Sequence, residues 1–242
     1  MISNAKTTVA DLERVEMVKP EWLGKAWKGI EHKDLVNTLQ ESFQSRGWGF
    51  DEPKLSMDKT EARLAGSWNL DIPDIEKMTD QSLSIGFLTA NDGSKSLRLV
   101  IGTTVFVCTN GMVTGEILLK HKHTIHFNLQ AELDTALEVY HHRAERIPKF
   151  VNALKQREVS QQEADHILME AGRSGMMGWK KLGDVSKEFM KPTYGELAVP
   201  TSWGLYNAFT HIIKGMPAIQ QMDLMNEFRP LLPRYTGEAI DA

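Results

Sequence analysis

Between residues 63 and 101 the apolar side chains recur at every second position, and no other feature of the sequence constrains the fold as tightly. Leu64, Gly66, Trp68 and Leu70 alternate with Arg63, Ala65, Ser67 and Asn69. Leu83, Ile85 and Phe87 repeat the alternation, and Leu97, Leu99 and Ile101 return it beyond Asn91-Asp92-Gly93-Ser94. Successive strand side chains point to opposite faces, so each run predicts a strand with one buried face, and runs joined by a turn predict antiparallel pairing.

On either side the period reverts to that of a helix. Leu35, Val36, Leu39 and Phe43 share one helical face, and Gly47 stands where that helix would stop, which predicts a helix near 31–46. Leu133, Ala136, Leu137, Tyr140, Ala144 and Ile147 define a second helix from Leu129, with Pro148 placed to kink or end it. Ser160 and Glu163 have capping-box spacing ahead of Ala164, Ile167, Leu168 and Ala171. Residues 172–200, rich in Gly and Pro, read as an irregular connection with a short helix near 184–190. Thr201 or Ser202 caps a last helix whose buried stripe is Leu205, Phe209, Ile212 and Ile213, ended by Gly215 and Pro217. Strands are thus segregated from helices, which predicts an α+β fold: an antiparallel meander of four or five strands with helices packed mainly on one face. Residues 1–28 read as a partly ordered arm, 29–225 as one domain (sheet about 48–127, helical part about 128–215) and 226–242 as a surface tail.

The densest run of cations is Lys120, His121, Lys122, His123 and His126. On a strand His121 and His123 share one face and Lys120 and Lys122 the other. Three chemistries are open to such a segment: a basic strand facing phosphates, a His-x-His metal pair, and a solvated strand end. Metal ligation lacks support, because Phe127 and Asn128 stand where a glutamate ligand would be needed and Glu116 and Glu132 are the nearby carboxylates. Asp71, Asp74 and Glu76 flank Pro73 in a turn, where solvent-facing acids are commoner than Mg²⁺ ligands. There is no P-loop, nucleophile elbow or zinc-protease motif. No catalytic residue, metal or cofactor is assigned.

A net charge of −4 and a pI near 6.1 argue against a wholesale basic coat but are compatible with a local basic patch. The single cysteine, Cys108, excludes an intramolecular disulfide and any Cys-based zinc site, as expected of a cytoplasmic protein. No run approaches the roughly 18 apolar residues that a membrane helix requires, so no membrane partner is expected.

Two segments carry a resemblance. In the first, Val105-Phe106-Val107-Cys108 leads to Asn110-Gly111, the dipeptide best suited to a two-residue hairpin turn, followed by Met112, Gly115 and Glu116. In the second, Trp203, Tyr206, Asn207, Thr210 and His211 fall on one helical stripe. Together they resemble the phage- and plasmid-borne family of uncharacterised proteins that includes YfjQ and YafZ, whose members pair a C-x-N-G-[LM]-x-x-G-E-like hairpin with a later W-x-x-Y/F-N-A-x-T helix. The resemblance spans about residues 48–215. It implies that Asn110, Gly111, Gly115 and Glu116 meet Trp203, Tyr206, Asn207, Thr210 and His211 in one site or packing unit; packing of this helix onto the sheet is the plain alternative to a ligand role. The order of helix, meander and long helix is also similar, at the level of fold alone, to that of the RecT, Redβ and Erf single-strand annealing proteins.

The functional expectation is sequence-tolerant binding of single-stranded DNA or RNA by Lys120, His121, Lys122, His123 and His126 with Arg98 and Arg63, serving annealing or recombination in a homo-oligomer. Trp48, Trp68, Trp179 and Trp203 are candidates for base stacking, of which at most one or two should be exposed. A non-enzymatic anti-defence or host-interaction protein is the alternative, and a metal-dependent hydrolase the third reading.

Overall fold

The alternating runs form the strands that their period predicts. The computed structural model describes residues 5–17, 20–79, 81–105, 117–216 and 218–232. Among them are seven strands: β1 (Ala5–Thr7), β2 (Gly49–Phe50), β3 (Lys54–Met57), β4 (Arg63–Asp71), β5 (Gln81–Ala90), β6 (Leu97–Val105) and β7 (Ile117–His121). All pair antiparallel in one sheet ordered β1-β3-β4-β5-β6-β7, with β2 beside β4. Seven exceeds the expected four or five strands, and three of the seven lie outside the alternating runs and the basic strand. β2 and β3 are too short to display a period, and β1 comes from the segment read as an arm. That segment also forms α1 (Val9–Leu12), capped reciprocally by Thr8 and Asp11 and anchored by buried Leu12.

The face predicted to be buried lies under α2 (His32–Ser45) and α3 (Leu129–Ala144). Leu35, Leu39 and Phe43 from α2 and Leu133, Leu137 and Tyr140 from α3 join Leu64, Trp68, Ile85, Phe87 and Leu99 in one core. Phe43 is its aromatic centre, 5.5 Å edge-on to Trp68 and 6.2 Å from the Trp48 ring. Gly66 completes the strand pattern because Phe87 opposite leaves no room: a β-carbon there would sit 2.4 Å from the Phe87 ring. α2 ends at Gly47, whose φ of +68° is the left-handed stop read from sequence.

The remaining helices, α4 (Ile147–Gln156), α5 (Gln161–Arg173), α6 (Trp179–Met190), α7 (Ser202–Ile213) and α8 (Ala218–Phe228), enclose a second core. Met78 and Ile147 pack against both cores. Pro148 does not kink a long helix. It occupies the first turn of α4, where its missing N–H costs nothing. The connection expected over 172–200 is largely helical, since Leu182, Val185 and Phe189 give α6 a buried face that the flanking glycines obscure in the sequence. α7 starts at a Thr201 cap and packs on α6 and α4 rather than on the sheet, with Phe209 stacked on Phe228 at 3.9 Å. No described helix is long and apolar enough to cross a membrane.

Replacing Gly66 with valine is expected to cost about 1–3 kcal/mol through overpacking against Phe87. Urea denaturation should show a lower midpoint at unchanged slope. An unmoved midpoint would mean that the Phe87 ring yields freely.

Candidate nucleic-acid interface

In an antiparallel meander the start of each even strand meets the end of its neighbours, and this gathers residues far apart in sequence. Arg63 lies opposite Ala90, Leu97 opposite His121, and Arg98 opposite Lys120. Arg63, Arg98, Lys120 and His121 therefore share one end of the sheet. The β6–β7 register shifts between Leu99 and Val100.

The gathered cations differ in availability. Arg63 is held by Asp92, whose carboxylate accepts from Nε and Nη2 at 2.8 Å. Arg98, 16% exposed, directs Nη1 to Asp223 of α8 at 2.7 Å, and Lys95 reaches the same carboxylate at 3.4 Å. Like charges directly opposite on paired strands repel, so Asp223 offsets the juxtaposition of Arg98 with Lys120. These two arginines are thus committed to ion pairs within the fold. Lys120, Lys122 and His126 are exposed, and His121 is half-buried against Phe127, with ring centroids 4.5 Å apart.

His123 departs from the expected surface role. β7 ends at His121, so the alternation does not continue, and His123 turns inward to 5% exposure. Its ring stacks on Trp27 at 6.1 Å and shares a 3.3 Å hydrogen bond with Thr89. Burial, with lesser contributions from His32 and His121, lowers its pKa to about 4. His32 is likewise depressed by burial, and its Nε2 donates to the Glu61 carbonyl at 3.0 Å. His121 and His123 therefore do not form a facing pair, and among the described residues no three His, Cys, Asp or Glu side chains converge as a metal site would require.

What sequence reasoning missed is the segment that seals this end. Ile125 N–H donates to the Ala26 carbonyl at 3.0 Å, and Lys28 N–H to the His123 carbonyl at 3.4 Å. Asn91 clamps the same segment with two bonds to Ile30, accepting from its N–H at 3.1 Å and donating to its carbonyl at 2.8 Å. Leu23 rests on the β5–β6 turn, so close to Gly93 that a β-carbon there would lie 2.7 Å from its Cδ2. The clamp brings exposed Lys25 and Lys28 beside Lys122 and Ile125, and displays Trp22 at 77% exposure. Lys25 and Lys28 next to a tryptophan were a visible signal. Their relation to Lys122 was not, because it exists only through backbone bonds across roughly 100 residues.

Of the four tryptophans considered for stacking, Trp48, Trp68 and Trp203 are buried, and Trp179 is 56% exposed. The resemblance segments are placed unequally. Asn110, Gly111, Gly115 and Glu116, with Cys108, lie outside the described residues, and with them the proposed meeting of hairpin and helix. Trp203, Tyr206, Asn207 and Thr210 are buried in the second core. Trp203 stacks on Tyr206 at 5.5 Å beneath Lys155; Asn207 donates to the Trp203 carbonyl at 2.8 Å, and Thr210 to that of Asn207 at 2.9 Å. His211, at the rim, contacts Tyr194 and Lys214.

A family model for a domain of unknown function, DUF932, matches residues 22–223. The chain belongs to this family. The DUF932 match runs from Trp22 to Asp223, so it includes both the segment that seals the sheet end and the carboxylate that holds Arg98. No curated protein and no solved structure matches the chain.

In this DUF932 protein, pH should act through His123. Its folded pKa lies below the unfolded value of about 6.5, so its contribution is complete above pH 6.5 and is lost as pH falls toward 4. The loss should be on the order of 3 kcal/mol. His123→Phe should flatten this dependence in urea titrations at pH 7 and pH 4.5. An equal loss in the variant would assign the acid sensitivity to other groups.

Proposed function

We propose that the protein binds single-stranded nucleic acid without sequence preference at the sheet end formed by Lys120, His121, Lys122 and His126 together with Lys25 and Lys28. The observation that carries this reading is the docking of residues 26–28 on 123–125, which joins two short basic stretches of an acidic chain into one surface. Local cationic density of this kind attracts a phosphate backbone whatever the net charge of the molecule. Lysines serve as point charges to phosphates and carry no base information, which accounts for tolerance of sequence. Trp22 supports the single-stranded form: an indole displayed beside cations offers a face to unpaired bases, a contact worth about 1–3 kcal/mol per base and blind to base identity. Arg63, Arg98 and His123 drop out of the contact set because the fold uses them internally.

The biological setting that fits is a phage- or plasmid-encoded protein in a bacterial cytoplasm, related to YfjQ and YafZ, where strand binding serves annealing or recombination by a homo-oligomer. A second reading, recognition of a host protein, draws on a cleft of about 720 Å³ between the start of α6 and α8, lined by Met176, Met177, Trp179, Met216 and Leu224. Methionine-rich surfaces adapt to varied apolar partners.

The test is a salt series with a single-stranded oligonucleotide and the Lys120→Ala/Lys122→Ala double variant. Affinity should fall equally for every sequence, and the slope of log affinity against log salt should drop by roughly 1.4, two contacts at about 0.7 each. Unchanged affinity in the variant removes this surface from the function.

A further inference from the structure

At the other end of β5 the fold leaves strong hydrogen-bonding groups unanswered. Gln81 opens that strand at 1% exposure, and neither Oε1 nor Nε2 has a partner. The neighbouring Ser82 hydroxyl is buried in the same condition. By strand alternation Gln81 shares the face of Leu83 and Ile85, so its amide is directed into the interior where apolar packing would be expected. A buried amide left without a partner is costly, and native folds rarely keep one that nothing satisfies.

Beside Gln81 lies a cavity of about 160 Å³. Leu70, Ile72, Ile75 and Met78 give it apolar walls, and Asp71, Glu76 and Lys77 line it as well. Lys77 Nζ is paired to Asp71 at 2.7 Å. The lining carries two carboxylates and one lysine, so charge here is acidic, unlike the opposite end of the sheet, and a phosphate would find no uncommitted cation among the lining residues.

We propose that this cavity binds a small neutral planar molecule with a donor and an acceptor side by side on one edge, the cyclic amide or amidine edge of a free nucleobase, and that Gln81 is its hydrogen-bonding partner. A glutamine amide offers one acceptor and two donors in a plane and pairs with such an edge through two parallel bonds. Mostly apolar walls with a few convergent polar groups are the usual construction of small-molecule pockets, and here Leu70, Ile72, Ile75, Met78 and Leu83 surround the Gln81 amide. The site is separate from the basic sheet end and stands or falls independently of the nucleic-acid reading.

Titration calorimetry of the full chain with uracil and with adenine tests the proposal. At least one base should bind saturably, and Gln81→Leu, which keeps the side chain's bulk and removes both polar atoms, should weaken that binding by about tenfold or more, the scale of two lost hydrogen bonds. Thermal unfolding of the variant without ligand establishes that it folds, and a base-dependent rise in Tm for the native chain but not for Gln81→Leu would agree with the proposal. The proposal is overturned if neither base binds the native protein, or if Gln81→Leu binds as tightly. A crystal soaked in both bases that shows Gln81 bonded to ordered water alone would overturn it too.

Discussion

The architecture depends on the burial of one face of the antiparallel sheet beneath α2 and α3. Phe43, Trp68 and Phe87 fill that interface at aromatic contact distances, and Gly66 makes room for the last of them. Because side-chain direction reverses at every residue, fixing this face fixes the register of the central strands: a slip by one would expose the whole apolar set. The register in turn fixes which polar residues stand together at each end. The chemistry presented at both ends is thus a consequence of packing in the middle.

The two ends are chemically opposite. At the end where β4 begins, Arg63 and Arg98 are neutralised by Asp92 and Asp223, so they act as struts that hold the turn and α8 against the sheet. The lysines around them remain in solvent, where they keep their capacity for polyanions. At the end where β5 begins, acids and one paired lysine surround a small cavity, and the polar interest lies in the buried amide of Gln81. Cation density at one end suits the extended polyanion proposed for it, whereas a small cavity whose lining lysine is already paired suits the neutral molecule proposed for the other.

The second core explains why the residues of the Trp203 to His211 segment are so polar yet so buried. Asn207 and Thr210 return their hydrogen bonds to carbonyls of their own helix, which lets a polar stripe be surrounded by other helices without unmet donors. A polar face on a helix invites a ligand interpretation from sequence alone; here those bonds serve the helix that makes them.

The sequence by itself determined the α+β class, the central strands, α2, α3, the Ser160 cap of α5 and a start of α7 at Thr201 or Ser202, because each depends on a local period or a neighbouring side chain. It also located the basic run at 120–126. Only the tertiary structure decided that His123 is buried and neutral, that Arg63 and Arg98 are consumed, and that Lys25, Lys28 and Trp22 join the same surface. It likewise decided that α7 packs among helices rather than on the sheet, and that Gln81 lies buried beside a cavity. The physical reason is common to all of these. Periodicity reports which side of an element avoids water, but ion pairing, stacking and backbone bonds such as Ile125 to Ala26 join residues whose separation along the chain carries no signal, so their outcome exists only once the fold has brought them together.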